Sequence, residues 1–481
     1  MVHISPKDNV HIHVEAERGI LQEMSEYFTF TVPGAEFMPA VRNKIWDGKI
    51  RLLDYRNQNI YAGLLLYIKK FCDDRQYPIT VDRSLGIKYD PSEVDAFLQK
   101  LSATKTPRDY QAAALHAVAR QGGRATLLSP TASGKSFIIY MLQQFYGQRA
   151  LVIVPTIGLV AQMQGDFIEY GMDPSKIATI SSGKEKVNDK DVVISTWQSV
   201  WKMPASWFDG FGMMIGDEAH HFKSDSLTIM MEKLKHTPIK ISTTGTLDNV
   251  RVHKLIIEGL FGPVYKVTTS AELIEKGTLA DLKIDCILLD HNDSTKKAVS
   301  GGKKRMTYPE EMAVLTANEK RTRFIARMAG SVKGATLVLY EFVERHGKPI
   351  YEEIKKQFPD RTVLFVSGEV TAEERERVRE LIAEGHDVIV VASYGTFSTG
   401  INAPNLRNLI LASPTKSIIR VLQSVGRLLR KSATVQKVFL YDIGDDMSWK
   451  STINHTLGHF RERMKIYTTE GFAFSSRRIS L

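Results

Sequence analysis

From Thr106 onward, short apolar runs alternate with amphipathic stretches. Ala125–Leu128, Leu151–Val154, Val192–Ile194, Met213–Ile215 and Ile239–Ser242 are brief, often β-branched, and followed by turn or cap residues. Runs apolar on both faces read as buried strands, and strands alternating with helices imply βαβ units in a parallel sheet. A second series follows, with strands expected at Thr336–Leu339, Val363–Val366, Val388–Val391, Leu409–Leu411 and Val438–Leu440. Two α/β units of similar length predict a duplicated core with a cleft between its halves.

The flanks follow other patterns. Alternating Val10, Ile12 and Val14 predict a strand. Asp47-Gly48, between Lys44-Ile45-Trp46 and Lys49-Ile50-Arg51-Leu52-Leu53, predicts a tight hairpin. A helix over Gly63–Phe71 and a strand over Pro78–Val81 complete a small α+β domain, residues 1–103. The α/β units are then expected at 104–270 and 271–445. Ser294–Arg305 carries five basic residues, Gly301-Gly302 and one acid-free stretch after Asp293, which predicts a mobile loop. The tail, 446–481, reads as helical and basic.

Composition narrows the class. The 481 residues hold two cysteines, Cys72 and Cys286, far apart and without a nearby His/Cys group. That excludes a disulfide framework and a cysteine-based zinc site, and fits a reducing compartment. No apolar run approaches the ~18 residues of a membrane span, so a soluble intracellular protein is expected, with no membrane partner. The formal charge is +10. Residues 1–100 hold 13 Lys and Arg against 14 Asp and Glu, whereas residues 401–481 hold 13 against 5. The basic end suits either a polyanion partner or a solubilising surface.

Ser129-Pro130-Thr131-Ala132-Ser133-Gly134-Lys135-Ser136 lies between a predicted strand and a predicted helix. That is the context of a phosphate-binding loop, although Ser129 stands where the general pattern has glycine. Backbone N–H groups of Thr131–Ser136, in the loop that Pro130 opens, would cradle the β-phosphate of ATP, with Lys135 reaching the β/γ-phosphates and Ser136 a Mg²⁺ ion. Asp217-Glu218-Ala219-His220 follows the apolar run Phe211–Gly216. A carboxylate at a strand end, Asp217, suits the same ion, and its neighbour Glu218 suits activation of the attacking water. Gln423, Arg427 and Arg430 stand at i, i+4 and i+7, on one helix face. Arginines so placed can neutralise charge on a transferring phosphoryl.

These motifs, in this order, resemble superfamily 2 helicases, over about residues 105–445. The resemblance implies two tandem RecA-like parallel-sheet domains that sandwich ATP. It also implies roles for further segments. Arg108-Asp109-Tyr110-Gln111 resembles the adenine-reading segment, with Gln111 its reader. Pro155 through Gln162 and Ser195 through Ser199 resemble nucleic-acid contact motifs, bringing in Thr156, Gln162, Thr196 and Trp197. Thr244-Gly245-Thr246 stands where hydrolysis is coupled to strand movement. Ser393 through Asn402 resembles a motif in which Thr399 contacts nucleic acid and Gly400 the nucleotide. Segments such as Trp46–Asp54, Thr196-Trp197-Gln198, Phe211–Met214 and Val391–Ile401 are similar to a phage branch of the superfamily. That similarity implies an ATP-driven 3′–5′ helicase of recombination and repair in the bacterial host cytoplasm. Expected substrates are single-stranded, forked and four-way-junction DNA and RNA–DNA hybrids, with fork regression and branch migration as activities and a monomer as the working form. Glu218-Ala219-His220 gives the DEAH form of the pair, and Gln423 stands where many relatives carry His.

Some readings stay open on sequence alone. Trp46 with Asp47-Gly48 is either a wedge facing a duplex or a structural hairpin, and Trp197 either stacks on a base or joins the core. His220 belongs to the motif, and no further ligand cluster is evident, so a metal reading of His220-His221 is set aside. Competing activities are a duplex translocase that does not separate strands and an annealing protein whose affinity ATP switches.

Overall fold

The computed structural model describes the chain apart from residues 87, 103–104, 182–188, 223, 248–249, 303–304, 369–371, 399–404, 418–420, 422–423, 427 and 430–434. It forms two compact units, Met1–Ser129 with Gly134–Val267, and Thr268–Leu481 with Pro130–Ser133.

The N-terminal region builds its own sheet from β1 (Val2–Pro6), β2 (His11–Ala16), β5 (Asn59–Tyr61) and β6 (Ile79–Val81), in the order β5-β2-β1-β6. Here β1 pairs antiparallel with β2 and parallel with β6. Val2, Ile4, Ile12 and Val14 point inward, as period-two alternation requires, onto Leu21, Met24, Ile68 and Phe71 of two helices. The remaining strands, β3 (Thr29–Thr31) and β4 (Lys49–Arg51), form a separate antiparallel ribbon. The tight hairpin predicted at Asp47-Gly48 is therefore corrected. Lys44–Trp46 is not a strand; the N–H groups of Ile45 and Trp46 both donate to the Ala40 carbonyl, closing a turn after a helical segment, Pro39–Arg42. Asp47 instead accepts from the Lys49 N–H and from Arg51. Gly48 does take left-handed backbone (φ 75°), but the partner of β4 lies some twenty residues upstream.

The next strands are β7 (Arg124–Leu128), β8 (Ala150–Val154), β9 (Ile177–Ile180), β10 (Val192–Thr196), β11 (Met213–Asp217), β12 (Ile239–Thr244) and β13 (Val264–Lys266). They form an all-parallel sheet in the order β13-β7-β12-β11-β8-β10-β9. One apolar core runs from the N-terminal sheet through this one. A Cβ at Gly63 would overlap the Glu258 carbonyl on the Arg251–Phe261 helix, so glycine lets the two parts meet backbone to backbone. Buried Lys240 donates to the carbonyls of Asn9, Leu234 and Thr237, and Arg124 also donates to Asn9. The N-terminal region is thereby fastened to the foot of the sheet through one backbone carbonyl.

The second unit contains β14 (Asp281–Asp290), β15 (Thr336–Tyr340), β16 (Thr362–Val366), β17 (Val388–Ser393), β18 (Asn408–Leu411), β19 (Lys437–Asp446) and β20 (Phe474–Ser480). These too are all parallel, ordered β16-β17-β15-β18-β19-β14-β20. Two expectations fail here. Ser294–Ser300 is helical, as part of Asp293–Ser300, because the Asn292 side chain caps it and Lys296 pairs with Asp290, while Lys303 and Lys304 lie outside the described residues. The tail is not only helical: after the helix His455–Thr469, β20 joins the sheet edge beside β14. Nor is the tail an unpaired basic track. Arg463 is buried on Asp442, Arg477 pairs with Asp285, Arg478 with Asp290 and Asp446, and Lys465 with Glu462. Four of its six basic residues are thus neutralised within the unit.

Candidate nucleotide site

In a parallel sheet, residues at the carboxyl ends of adjacent strands share one rim, where ligands bind. β7, β12 and β11 are neighbours, with Leu128 beside Thr244 and Thr243 beside Asp217. The register alone therefore unites three segments far apart in sequence: the phosphate loop after β7, Asp217-Glu218 after β11, and Thr244-Gly245-Thr246 after β12.

The loop turns through left-handed backbone at Ala132 (φ 66°) and Gly134 (φ 81°), then opens the Lys135–Tyr146 helix. At Gly134 a Cβ would lie 2.6 Å from the Gln111 amide nitrogen, so a larger residue there would have to displace the Gln111 side chain. Gln111 is buried, and its side-chain oxygen accepts from the Arg108 N–H at 3.0 Å. Glu218 also sits in left-handed space (φ 55°), unusual for a residue with a side chain and characteristic of strained functional positions.

Side chains complete the cluster. Lys135 Nζ meets Glu218 Oε1 at 3.2 Å, the two side chains 15% and 18% exposed. The other oxygen, Glu218 Oε2, lies 3.4 Å from both His220 Nδ1 and the Thr244 hydroxyl, and those two lie 3.2 Å apart. The Thr244 hydroxyl also contacts the Thr246 carbonyl at 2.8 Å. Among the described residues, the buried Thr246 hydroxyl has no hydrogen-bond partner. Asp217 accepts from Thr243 at 2.6 Å and from the Glu218 N–H at 3.0 Å.

The adjacent carboxyls are driven in opposite directions. Burial raises Asp217, more than Lys135 can offset. Burial acts on Glu218 too, but the Lys135 ammonium and His220 outweigh it and hold that carboxyl well below its usual range. A buried carboxyl short of positive charge, beside a hydroxyl, is a fitting donor set for a hard divalent cation. The Ser136 hydroxyl is shared with Tyr170 at 2.9 Å. Tyr170 carried no signal in the sequence: it lies 34 residues away and reaches Ser136 only through helix packing.

The expected nucleic-acid residues divide. Thr156 caps the Ile157–Glu169 helix, accepting from the Leu159 N–H, and Gln162 stands exposed on that helix. Thr196 is buried and shares its hydroxyl with Ser199 at 3.0 Å. Trp197 packs half-buried against the core. Thr399, Gly400, Gln423, Arg427 and Arg430 lie outside the described residues.

Tandem seven-stranded parallel sheets, with a phosphate loop and an Asp-Glu pair on one rim of the first, define a superfamily 2 helicase ATPase. Residues 2–82 match the family described as DNA helicase UvsW, N-terminal. Residues 104–249 match the type III restriction enzyme res subunit, and 319–432 the helicase conserved C-terminal domain. The chain is 34% identical over 503 aligned positions to the ATP-dependent DNA helicase uvsW of Enterobacteria phage T4, covering 98% of each. The crystal structure of T4 UvsW superposes with a TM-score of 0.52 at 32% identity, over 100% of this chain and 99% of that one. The DNA 3′–5′ translocase XPB2 of Sulfurisphaera tokodaii is 23% identical, covering 67% of this chain and 78% of that protein. The chain belongs to the UvsW family of ATP-dependent DNA helicases. Among the described residues, no helix is long and apolar enough to cross a membrane.

Proposed function

We propose that ATP hydrolysis at the Lys135–Glu218 cluster drives 3′–5′ movement along one strand of branched DNA or an RNA–DNA hybrid. The observation that carries this reading is the continuous contact from Lys135 through Glu218 to Thr244 and Thr246. A γ-phosphate arriving at Lys135 competes for the ammonium that now holds Glu218. Released, the Glu218 carboxylate can accept a proton from the attacking water, and the same release is felt by Thr244. Hydrolysis and the coupling segment therefore share one side chain.

Gln111 orients the adenine edge, and the Pro130–Ser136 loop holds the phosphates through backbone N–H groups. Mg²⁺ held by Ser136 and Asp217 would supply charge neutralisation on the phosphates. Gln423, Arg427 and Arg430 of the second unit, with Gly400, supply further groups toward the γ-phosphate; motif order supports that assignment. Thr156, Gln162, Thr196, Trp197 and Thr399 mark the nucleic-acid path. Thr196, whose hydroxyl lies 3.0 Å from that of Ser199, meets a phosphate through its hydroxyl or backbone N–H, a contact blind to base identity. Fork regression, branch migration and R-loop unwinding follow from such movement at a junction.

ATPase stimulation by fork, four-way junction, R-loop and single strand tests the reading: the branched substrates should stimulate most. Equal rates with and without polynucleotide would overturn it. The relative named as a translocase favours one second reading, movement on duplex without strand separation. Displacement of a triplex strand without displacement of a duplex strand would select it.

A further inference from the structure

Ser136 is the second residue of the Lys135–Tyr146 helix, and it stands half-buried. Among the described residues its hydroxyl has Tyr170 as hydrogen-bond partner, with the phenol oxygen 2.9 Å away. Tyr170 lies on a different element. It caps the C-terminus of the Ile157–Glu169 helix, where its N–H donates to the carbonyls of Asp166 and Ile168. The ATP chemistry described above gives this tyrosine no part.

The ring is nevertheless set firmly in place. It meets Phe137 edge-on at 5.1 Å and Tyr140 at 5.5 Å, centre to centre. Tyr140 in turn stands edge-on to Phe167 of the tyrosine's own helix, again at 5.5 Å. The Lys105 ammonium lies 4.0 Å from the centre of the Tyr170 ring and is steadied by Glu169 at 3.6 Å. Edge-to-face ring pairs and a cation over a ring each favour one orientation. An aromatic wall between two helices therefore presents the phenol oxygen to Ser136.

A serine hydroxyl has one hydrogen and two lone pairs. As a metal ligand it spends a lone pair on the cation, and its hydrogen then needs an acceptor elsewhere. Asp217, the other ligand of the proposed Mg²⁺ site, accepts from Thr243 and from the Glu218 N–H. Tyr170 is the acceptor already in place for Ser136. Outer groups that orient a ligand in this way typically contribute roughly 10–100-fold to metal affinity.

We propose that Tyr170 is the positioning residue of the Mg²⁺ site: it takes the Ser136 hydrogen and so turns the serine's lone pairs to the cation. Lys105 and the Phe137–Tyr140 wall hold the tyrosine for that task. The inference rests on the ATP-site reading above and deepens it, naming the residue that sets the serine ligand from outside the phosphate loop.

The test uses the full chain and a fluorescent, non-hydrolysable ATP analogue, whose binding is followed as magnesium chloride is added. Tyr170→Phe keeps the ring and removes only the hydroxyl. It should raise the Mg²⁺ concentration that half-tightens binding about tenfold, while affinity in EDTA and the unfolding midpoint of the free protein hold. In a Ser136→Ala background the same change should add nothing, because a residue that acts through Ser136 has no effect once that hydroxyl is gone. A Mg²⁺ requirement equal to wild type in Tyr170→Phe would overturn the proposal, as would the full tenfold rise in the Ser136→Ala background. If Mg²⁺ leaves the wild-type affinity for the analogue unchanged, the metal reading of Ser136 and Asp217 falls and the proposal with it, a result seen before any variant is made.

Discussion

Lys135–Glu218 in the first unit and Arg463–Asp442 in the second are both ion pairs inside an α/β fold, but they are satisfied differently. Lys135 and Glu218 stand 15% and 18% exposed on the rim of their sheet. Arg463 and Asp442 are both 0% exposed. The Arg463 guanidinium also donates to the carbonyls of Thr415 and Ile443, and the Tyr467 hydroxyl donates to Asp442. Arg321–Asp445, at 1% and 0%, is closed in the same manner by His291, His346 and Ala412. A pair whose partners are all internal cannot exchange them for a ligand, so its charge serves the fold. A pair at a rim, with Glu218 held in left-handed backbone, can exchange them, and that is what a phosphate site needs.

The contrast can be broken most severely at the rim. Glu218→Gln should lower ATP turnover by ~10²–10⁴, the usual contribution of a positioned general base, while ATP binding and the unfolding midpoint hold. Turnover near wild type would remove Glu218 from the chemistry. Lys135→Ala should abolish ATPase and strand displacement together, and retained displacement would defeat the assignment.

The closed pairs should respond in the opposite sense. Arg463→Met strands Asp442 in the core and should cost roughly 3–5 kcal/mol of stability in chemical denaturation. A loss under about 1 kcal/mol would show that the network is dispensable.

A graded effect, spread over several pH units, comes from His346. Burial, with Arg321 beside it, pushes its pKa down to about 3. Because Arg321 can only donate, His346 Nε2 is the acceptor and the proton sits on Nδ1, 2.7 Å from the Ser413 hydroxyl. The unfolded ring, near 6.5, therefore takes up a proton that the folded ring refuses. Stability from this group is full above about pH 6.5 and is lost as pH falls toward 3, at up to ~1.4 kcal/mol per pH unit. His346→Asn should flatten that part of the stability–pH curve; an unchanged slope would sink the assignment. Least of all should change in Lys465→Ala, an exposed tail position expected to stay within ~0.5 kcal/mol.

Much of the site was legible in the chain. The loop around Lys135, the pair after Phe211–Gly216 and Thr244-Gly245-Thr246 each carry their signal locally, because a buried parallel strand is an apolar run and its carboxyl end is where polar residues resume. The misreadings share a cause. β20 is an edge strand with mostly exposed side chains, Phe474–Ser480, so it lacks the apolar run that betrays a central strand. Asp47-Gly48 has hairpin chemistry, yet its strand pairs with a distant segment. The tail's charge count said nothing of Asp442 or Asp285, which neutralise it from other strands.

By itself, then, the order of residues determined most central strands of the two large sheets, their sequence, and which polar groups stand at their ends, since these depend on neighbours within a few positions. Only the packed sheets decided which ends adjoin and whether a charge is closed off or open. Those outcomes depend on strand register and on partners tens to hundreds of residues away.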